Sequence, residues 1–255
     1  MIQQQVIDNK TIVTFDKKLE TLSDKYKLVE TKLMKAKFES LGFKVDSFHQ
    51  ARVRKASKQG YQKHTVRMSN PTLLASVHKD CKLQLVLTNS HDGTSGFKMQ
   101  LGIYRLVCAN GMMAGSVFET INLRHIGSIE EKIEESVMRI VAQVGKLDDL
   151  MTKMKNVILT PKQQSEFLER AVKLRYDDKS LNDVEFVTRR EEDKPLDAFT
   201  FMNMIQENLI RGGNNVRNSK GKIRAAKPIT NITKSNLINT GIFDLALEYT
   251  EAVAA

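Results

Sequence analysis

The sequence predicts an α+β fold: an antiparallel β-sheet from the N-terminal half packed against C-terminal helices, one of them a long heptad-patterned helix. Two observations carry this. Between residues 43 and 123 apolar side chains alternate with a period of two, and beyond residue 128 they recur every three or four positions. The chain has 255 residues and reads as a single domain, sheet-rich over 10–125 and helical over 128–255. It is long enough to bury a core without disulfides or metal.

The elements follow in order. Residues 1–9 form a polar lead-in, and Thr11–Phe15 and Lys25–Glu30 are strand candidates. Thr31 is placed to cap a helix over 32–41, with Gly42 just past its end. Phe43–Met68 reads as a hairpin that turns at Lys58-Gln59-Gly60. Strand parity puts Arg52, Arg54, Lys63 and Arg67 on one face, giving a basic ribbon or the wet face of a half-buried sheet. The strands Cys81–Thr88 and Phe97–Val107 flank the polar turn Asn89–Gly96, and Val117–Leu123 adds another strand. Ser128-Ile-Glu-Glu131 is a capping box. From Ile133 to Ile158 a seam of apolar residues is spaced alternately by four and three, which suits a coiled coil between subunits or a helix packed within its own chain. Thr160-Pro-Lys-Gln163 starts the next helix, with proline where the missing amide is harmless. Residues 179–194 are charged and aperiodic and read as a surface loop. Pro195 opens a helix that stops at Gly212-Gly213, a basic stretch over 214–234 follows, and Leu237–Val253 is amphipathic.

The net charge of +10 is localised. No Asp or Glu occurs over 47–79 or over 208–243, and each window holds seven Lys or Arg. Outside them the chain is acidic, with 26 basic residues against 30 acidic ones. Segregation of this kind suits a polyanionic partner. The expected nucleic-acid contacts are Arg52, Arg54, Lys55, Lys58, Lys63 and Arg67, with Phe48 and Tyr61 as stacking rings. A second set comprises Arg217, Lys220, Lys222, Arg224 and Lys227, read as a basic arm that orders on binding.

Other chemistry finds little support. Ser90, His91 and Asp92 are adjacent, whereas a hydrolytic triad needs its members to converge from separate elements. A hydrogen-bonded turn explains them, with Gly93 at positive φ. The five histidines and two cysteines, Cys81 and Cys108, show no zinc spacing, and neither a Walker A loop nor a GxGxxG turn is present. No cofactor, catalytic residue or metal site is therefore expected. The apolar runs are too short to cross a membrane and the N-terminus lacks a signal-peptide pattern, so a cytoplasmic location is expected.

Five stretches carry a family resemblance. They are Leu22-Ser-Asp-Lys-Tyr-Lys-Leu-Val29, Leu87-Thr-Asn-Ser-His-Asp-Gly-Thr-Ser95, Tyr104-Arg-Leu-Val-Cys-Ala-Asn-Gly111, Arg124-His-Ile-Gly127 and Gln206-Glu-Asn-Leu-Ile-Arg-Gly-Gly213. In these the chain resembles the phage- and plasmid-borne family described as domain of unknown function 932. The resemblance brings no established activity and so transfers no residue role. It implies a mobile-element origin, and with the charge pattern an expected function: binding or annealing single-stranded DNA in recombination or replication, as a possible homo-oligomer. The alternative is a protein-binding module that inhibits a host defence system.

Overall fold

The computed structural model describes residues 18–107, 110–126 and 130–254. The expected strand at Thr11–Phe15, together with Cys108 and Ser128, lies outside them. The α+β class is borne out: a sheet from the first half of the chain, helices from the second. The chain gathers into two compact units, each assembled from three separate segments.

The first unit comprises residues up to 77, 82–102 and 118–144. Helix α1 (Thr31–Ser40) precedes the strands β1 (Lys44–Gln50), β2 (His64–Ser69), β3 (Cys81–Asn89) and β4 (Phe97–Arg105), which lie in that order, and β6 (Ile121–Leu123) pairs antiparallel with β4. Strands β3 and β4 are nearly continuous in burial, as expected of central strands. Met34 and Phe38 of α1 are buried, and Thr31, Met34 and Lys35 meet His64, Val66, Leu87 and Phe97 around a small cavity. Phe38 and Phe43 make an edge-to-face pair at 5.9 Å across the turn at Gly42, whose φ of 85° is the left-handed conformation that ends the helix.

Several sequence expectations change here. Lys25–Glu30 forms no strand; its backbone is held by side chains described below. The N-cap of α1 is Glu30, so Thr31 is the first helical residue and its hydroxyl is free for another partner. The 43–68 hairpin exists, but β1 ends at Gln50, and Ala56–Lys58 forms a 3-10 turn within the long connection. A bulge between Val45 and Ser47 resets the register, so that Ser47 faces Arg67 and Phe48 faces Val66. Lys63 and Arg67 therefore share the face of Ser47 and His49, opposite Phe48. Arg52 and Arg54 have left the strand altogether, and the single basic face does not form. The heptad seam is also split. Helix α2 (Ile133–Val141) buries Ile133, Val137 and Ile140 in the first unit. After a turn at 142–143, α3 (Val144–Asn156) buries Leu147, Met151 and Met154 in the second. Ile158, the last seam position, is exposed. Each half of the seam serves its own unit, as the intramolecular reading expects.

The second unit contains residues 78–81, 103–117 and 145–255. Its helices are α3, α4 (Pro161–Arg175), α5 (Ala198–Gln206) and α6 (Ile232–Ala254). The short strand β5 (Asn110–Met113) packs near α6. The Thr160 capping box forms as expected: Gln163 N donates to Thr160 Oγ1 at 3.3 Å, and Thr160 N donates to Gln163 Oε1 at 2.9 Å. All of α5 is buried, and its last turn, Glu207–Arg211, widens to a π-helix before Gly212.

Residues 179–194, expected as a loose surface loop, carry part of a buried ionic network. Arg105 donates to Asp193 at 2.5 Å and Arg190 to Asp193 at 2.9 Å. Arg190 also grips both carboxylate oxygens of Glu207, at 2.7 and 2.9 Å, and Arg211 adds a further bond at 2.7 Å. Asn208 fastens the same segment by pairing with the amide and carbonyl of Val187, each at 3.0 Å. Burial opposes ionisation of the Glu207 carboxyl, and the arginines around it outweigh that and hold it below its ordinary value. Removing one partner leaves buried charge unpaired. Glu207→Ala should lower the unfolding free energy by about 3–5 kcal/mol in urea denaturation. Glu166→Ala, which breaks only the exposed pair with Lys162, should change it by no more than about 0.5 kcal/mol. Equal effects would show that the buried network adds nothing beyond surface pairing.

Candidate functional site

Three of the five resemblance stretches meet in the first unit, because the extended segment 26–29 has backbone groups that no strand satisfies. Lys27 N donates to the His125 carbonyl at 2.8 Å, and His125 Nδ1 lies 3.1 Å from the Lys27 carbonyl. Asn89 Nδ2 donates to the Val29 carbonyl at 2.9 Å, and His91 Nε2 approaches the same oxygen at 3.1 Å. Tyr26 donates its hydroxyl to the Ser90 carbonyl at 3.0 Å and stacks on His125, ring centroids 4.6 Å apart.

The histidine protonation states follow from their partners, since a carbonyl can only accept. His64 Nδ1–H points at the Gln62 carbonyl, 2.9 Å away, leaving Nε2 to accept from the Thr31 hydroxyl at 2.6 Å. The hydroxyl of Thr31 in turn accepts from Asn89 Nδ2 at 3.1 Å. His91 donates from Nε2 to Val29, and its Nδ1 is buried without a hydrogen bond. Both rings are neutral. Burial holds His64 down to about 3 and His91 to about 4. Burial, with the nearby Asp92 carboxylate, pushes Tyr26 up to about 12.

The 89–96 turn is structural in its polar groups. Ser90 Oγ donates to the Ser95 carbonyl at 3.1 Å and accepts from the Ser95 amide at 2.8 Å, so it makes no hydrogen bond to His91. Asp92 accepts from the Thr94 amide and hydroxyl and pairs with Lys58 at 3.6 Å. Gly93, at φ 75°, sits in the left-handed region that strains any side chain, and a Cβ there would stand 2.7 Å from Leu22 Cδ2 and push it aside. Beside the turn opens a cleft of about 310 Å³ whose wall includes Lys25, Tyr26, Ser95, Arg124 and His125.

The expected nucleic-acid contacts divide into two groups. In the first unit Arg52, Arg54 and Lys55 are exposed on the 51–63 connection, and none of them forms an ion pair among the described residues. Lys58 is committed to Asp92, Lys63 is half-buried, and Arg67 donates to Gln84 at 3.3 Å. Phe48 leans on the His64 ring at 5.9 Å, and Tyr61 is half-buried. In the second unit the basic arm is an ordered antiparallel hairpin rather than a segment that awaits a ligand. Strands β7 (Asn215–Arg217) and β8 (Ile223–Ala225) pair Asn215 with Ala225 and Arg217 with Ile223. Asn218 Oδ1 accepts from the amides of Lys220 and Lys222, at 3.0 and 2.9 Å, and shapes the tip. Arg217, Lys220, Lys222, Arg224 and Lys227 are all exposed, and none forms an ion pair among the described residues. The cations are visible in the sequence, but the hairpin is not, because its strands are too short to show alternation. The cleft is not visible there either, because its walls come from residues a hundred positions apart.

Among the described residues no group of His, Cys, Asp and Glu could hold a metal ion, and no helix is long and apolar enough to cross a membrane. Comparison with known proteins places the chain. Residues 18–236 match the family described as Domain of unknown function (DUF932), and the chain belongs to it. Two Escherichia coli K12 proteins are similar, UPF0380 protein YafZ and UPF0380 protein YfjQ. Each is 26% identical over 232 residues, covering 90% of this chain and 84% of the relative. No solved structure matches.

The buried histidines make stability depend on pH. Unfolding returns both rings to their usual value of 6.5, so between that pH and about 4 the unfolded chain binds more protons. Stability is complete above this window and falls as the pH drops through it, by up to about 1.4 kcal/mol per pH unit for each ring. Urea denaturation should show this slope, reduced by roughly half in His64→Asn. An identical slope in both proteins would mean that His64 is not neutral in the fold.

Proposed function

We propose that this member of the DUF932 family binds nucleic acid, with single-stranded DNA as its preferred form, and that it performs no chemical step in doing so. The observation that carries this is the β7–β8 hairpin. Five cations lie within eleven residues, Arg217 to Lys227, on a two-stranded ribbon that exposes every one of them and pairs none with a carboxylate. Unpaired exposed cations on an ordered backbone meet phosphates without first breaking internal ion pairs, and each contact releases condensed counterions. The register puts Arg217 beside Ile223 on one face and Arg224 beside Val216 on the other, with Lys220 and Lys222 at the tip. The ribbon can thus follow a backbone along its edge and end. Arg52, Arg54 and Lys55 form a second cationic surface, on the first unit. The hairpin carries no aromatic residue, so its readout is of phosphates and is independent of base sequence.

Neutralising the ribbon tests the reading. Wild type should bind a fluorescent single-stranded oligonucleotide at low salt, with log K falling against log salt by about 0.7 for every phosphate neutralised. Gln at Arg217, Lys220, Lys222 and Arg224 together should weaken binding by at least about a hundredfold and flatten the salt slope by roughly three. These side chains are exposed, so the melting temperature should hold. Absence of binding by wild type at low salt, or an unchanged slope in the variant, would overturn the proposal.

A further inference from the structure

The β7–β8 hairpin presents one side chain that neither the fold nor phosphate binding uses. Ile223 is 55% exposed, and every residue of its strand is open to solvent. Isolated apolar side chains are common on protein surfaces, but this one stands in unusual company. Arg217 lies directly across the ribbon from it, and Lys222 and Arg224 flank it in the chain. The other large apolar residue of the ribbon, Val216, is half-buried and bridges to the buried Val184. The fold therefore covers one of the two and leaves the other to water. A β-branched residue suits a strand, yet threonine would suit it equally without the apolar surface.

Position adds a second argument. Asn218 N donates to Lys222 O at 2.9 Å and Ala226 N to Asn214 O at 2.8 Å, which fixes the residues that exchange hydrogen bonds across the ribbon. Between those pairs the bonding alternates, so Arg217 and Ile223 form a non-hydrogen-bonded pair, the class in which facing side chains stand closest. The guanidinium and the aliphatic group thus leave the same face together, next to the turn that Asn218 shapes. A phosphate held by Arg217 brings the base of its own nucleotide towards Ile223. That side chain has no π face with which to extend a stack. What a branched aliphatic group does among bases is separate them.

We infer that Ile223 is a wedge: with the phosphates held by the hairpin cations, it enters between neighbouring bases and unstacks them. The inference rests on the hairpin reading and supplies the reason for its preference for single strands. Phosphate contacts by themselves do not favour the single strand, because duplex DNA carries the denser charge. Opening a base step is costly in a paired duplex and cheaper in a strand that is already unpaired. The apolar surface that Ile223 buries against bases is therefore a gain open to the form that yields. It works on any sequence, since an aliphatic group makes no hydrogen bond to a base edge.

The test uses the full-length protein and a single-stranded adenine oligonucleotide carrying one 2-aminopurine, whose fluorescence brightens when the base unstacks. Wild type should brighten the probe and bind it more tightly than the same sequence in duplex form. Ile223→Ala should leave the probe dim, weaken single-strand binding by about tenfold and leave duplex binding unchanged. Its salt slope should match wild type, because no cation is lost. Ile223→Thr keeps the strand propensity and should behave as the alanine variant does, whereas Ile223→Phe, which can stack, should keep the affinity. Wild-type affinity in Ile223→Thr would show that the side chain only shapes the strand, and would overturn the inference. Equal single-strand affinity in wild type and Ile223→Ala, or a probe that wild type binds without brightening, overturns it while the hairpin reading stands. No binding by wild type at low salt overturns both.

Discussion

The carbonyl of Val29 accepts from Asn89 and His91 at once, and much of the first unit depends on that oxygen. Segment 26–29 runs extended without joining the sheet and buries Val29 at its end, so its polar groups need donors and acceptors from elsewhere. The central turn supplies them from β3, and His125 supplies them from the segment after β6. With the oxygen satisfied, Glu30 can cap α1, which begins at Thr31 and buries Met34 and Phe38. Thr31 is then positioned to donate to His64 rather than to cap its own helix. One solvation problem thus orders the helix start, the two neutral histidines and the wall of the cleft.

Much of the fold was legible in the sequence, and where it was not the reason is physical. Strands β3 and β4 were plain because Leu83, Leu85, Met99 and Leu101 alternate in a long, central and deeply buried pair. The Thr160 box was plain because its two partners are three residues apart. The heptad seam misled as to continuity. Periodicity records which face is buried, not whether the backbone stays helical, and a turn at 142–143 keeps the phase while dividing the seam between units. The basic face of the 43–68 hairpin failed for a different reason. Parity within each strand is fixed, but the bulge at Val45/Ser47 sets the parity between strands. The candidate site was legible in its residue types only. Nothing local in sequence announces that Lys25, Gly93 and Arg124 border one cleft.

The charges also sort themselves by use. Glu207 and Asp193 gather Arg190, Arg105 and Arg211 in the second unit and fix the 185–193 segment there. The stretch Gln206–Gly213 is tied down residue by residue. Its members bind neighbouring backbone and side chains one after another, Gln206 to Asn239, Asn208 to Val187, Arg211 to Glu207. The acid-free windows, by contrast, leave most of their cations on the outside.

The way the hairpin is rooted gives it graded mobility. At its stem Arg175 reaches the carbonyls of Leu209 and Lys227, Gly213 N donates to Ala226 O at 2.8 Å, and Gly212 lies so close to Ala226 that a Cβ there would stand 2.5 Å from its carbonyl. At its tip, by comparison, the holding falls to the Asn218 side chain, the Asn218–Lys222 and Gly221–Asn218 backbone bonds and two short strands, with Lys179 on the Arg217 carbonyl behind them. Local opening free energy then falls along the ribbon, from stem amides coupled to the buried helices to tip amides that fray on their own. A surface anchored in this way can adjust its last few ångströms to the contour it meets, while the helical core beneath stays still.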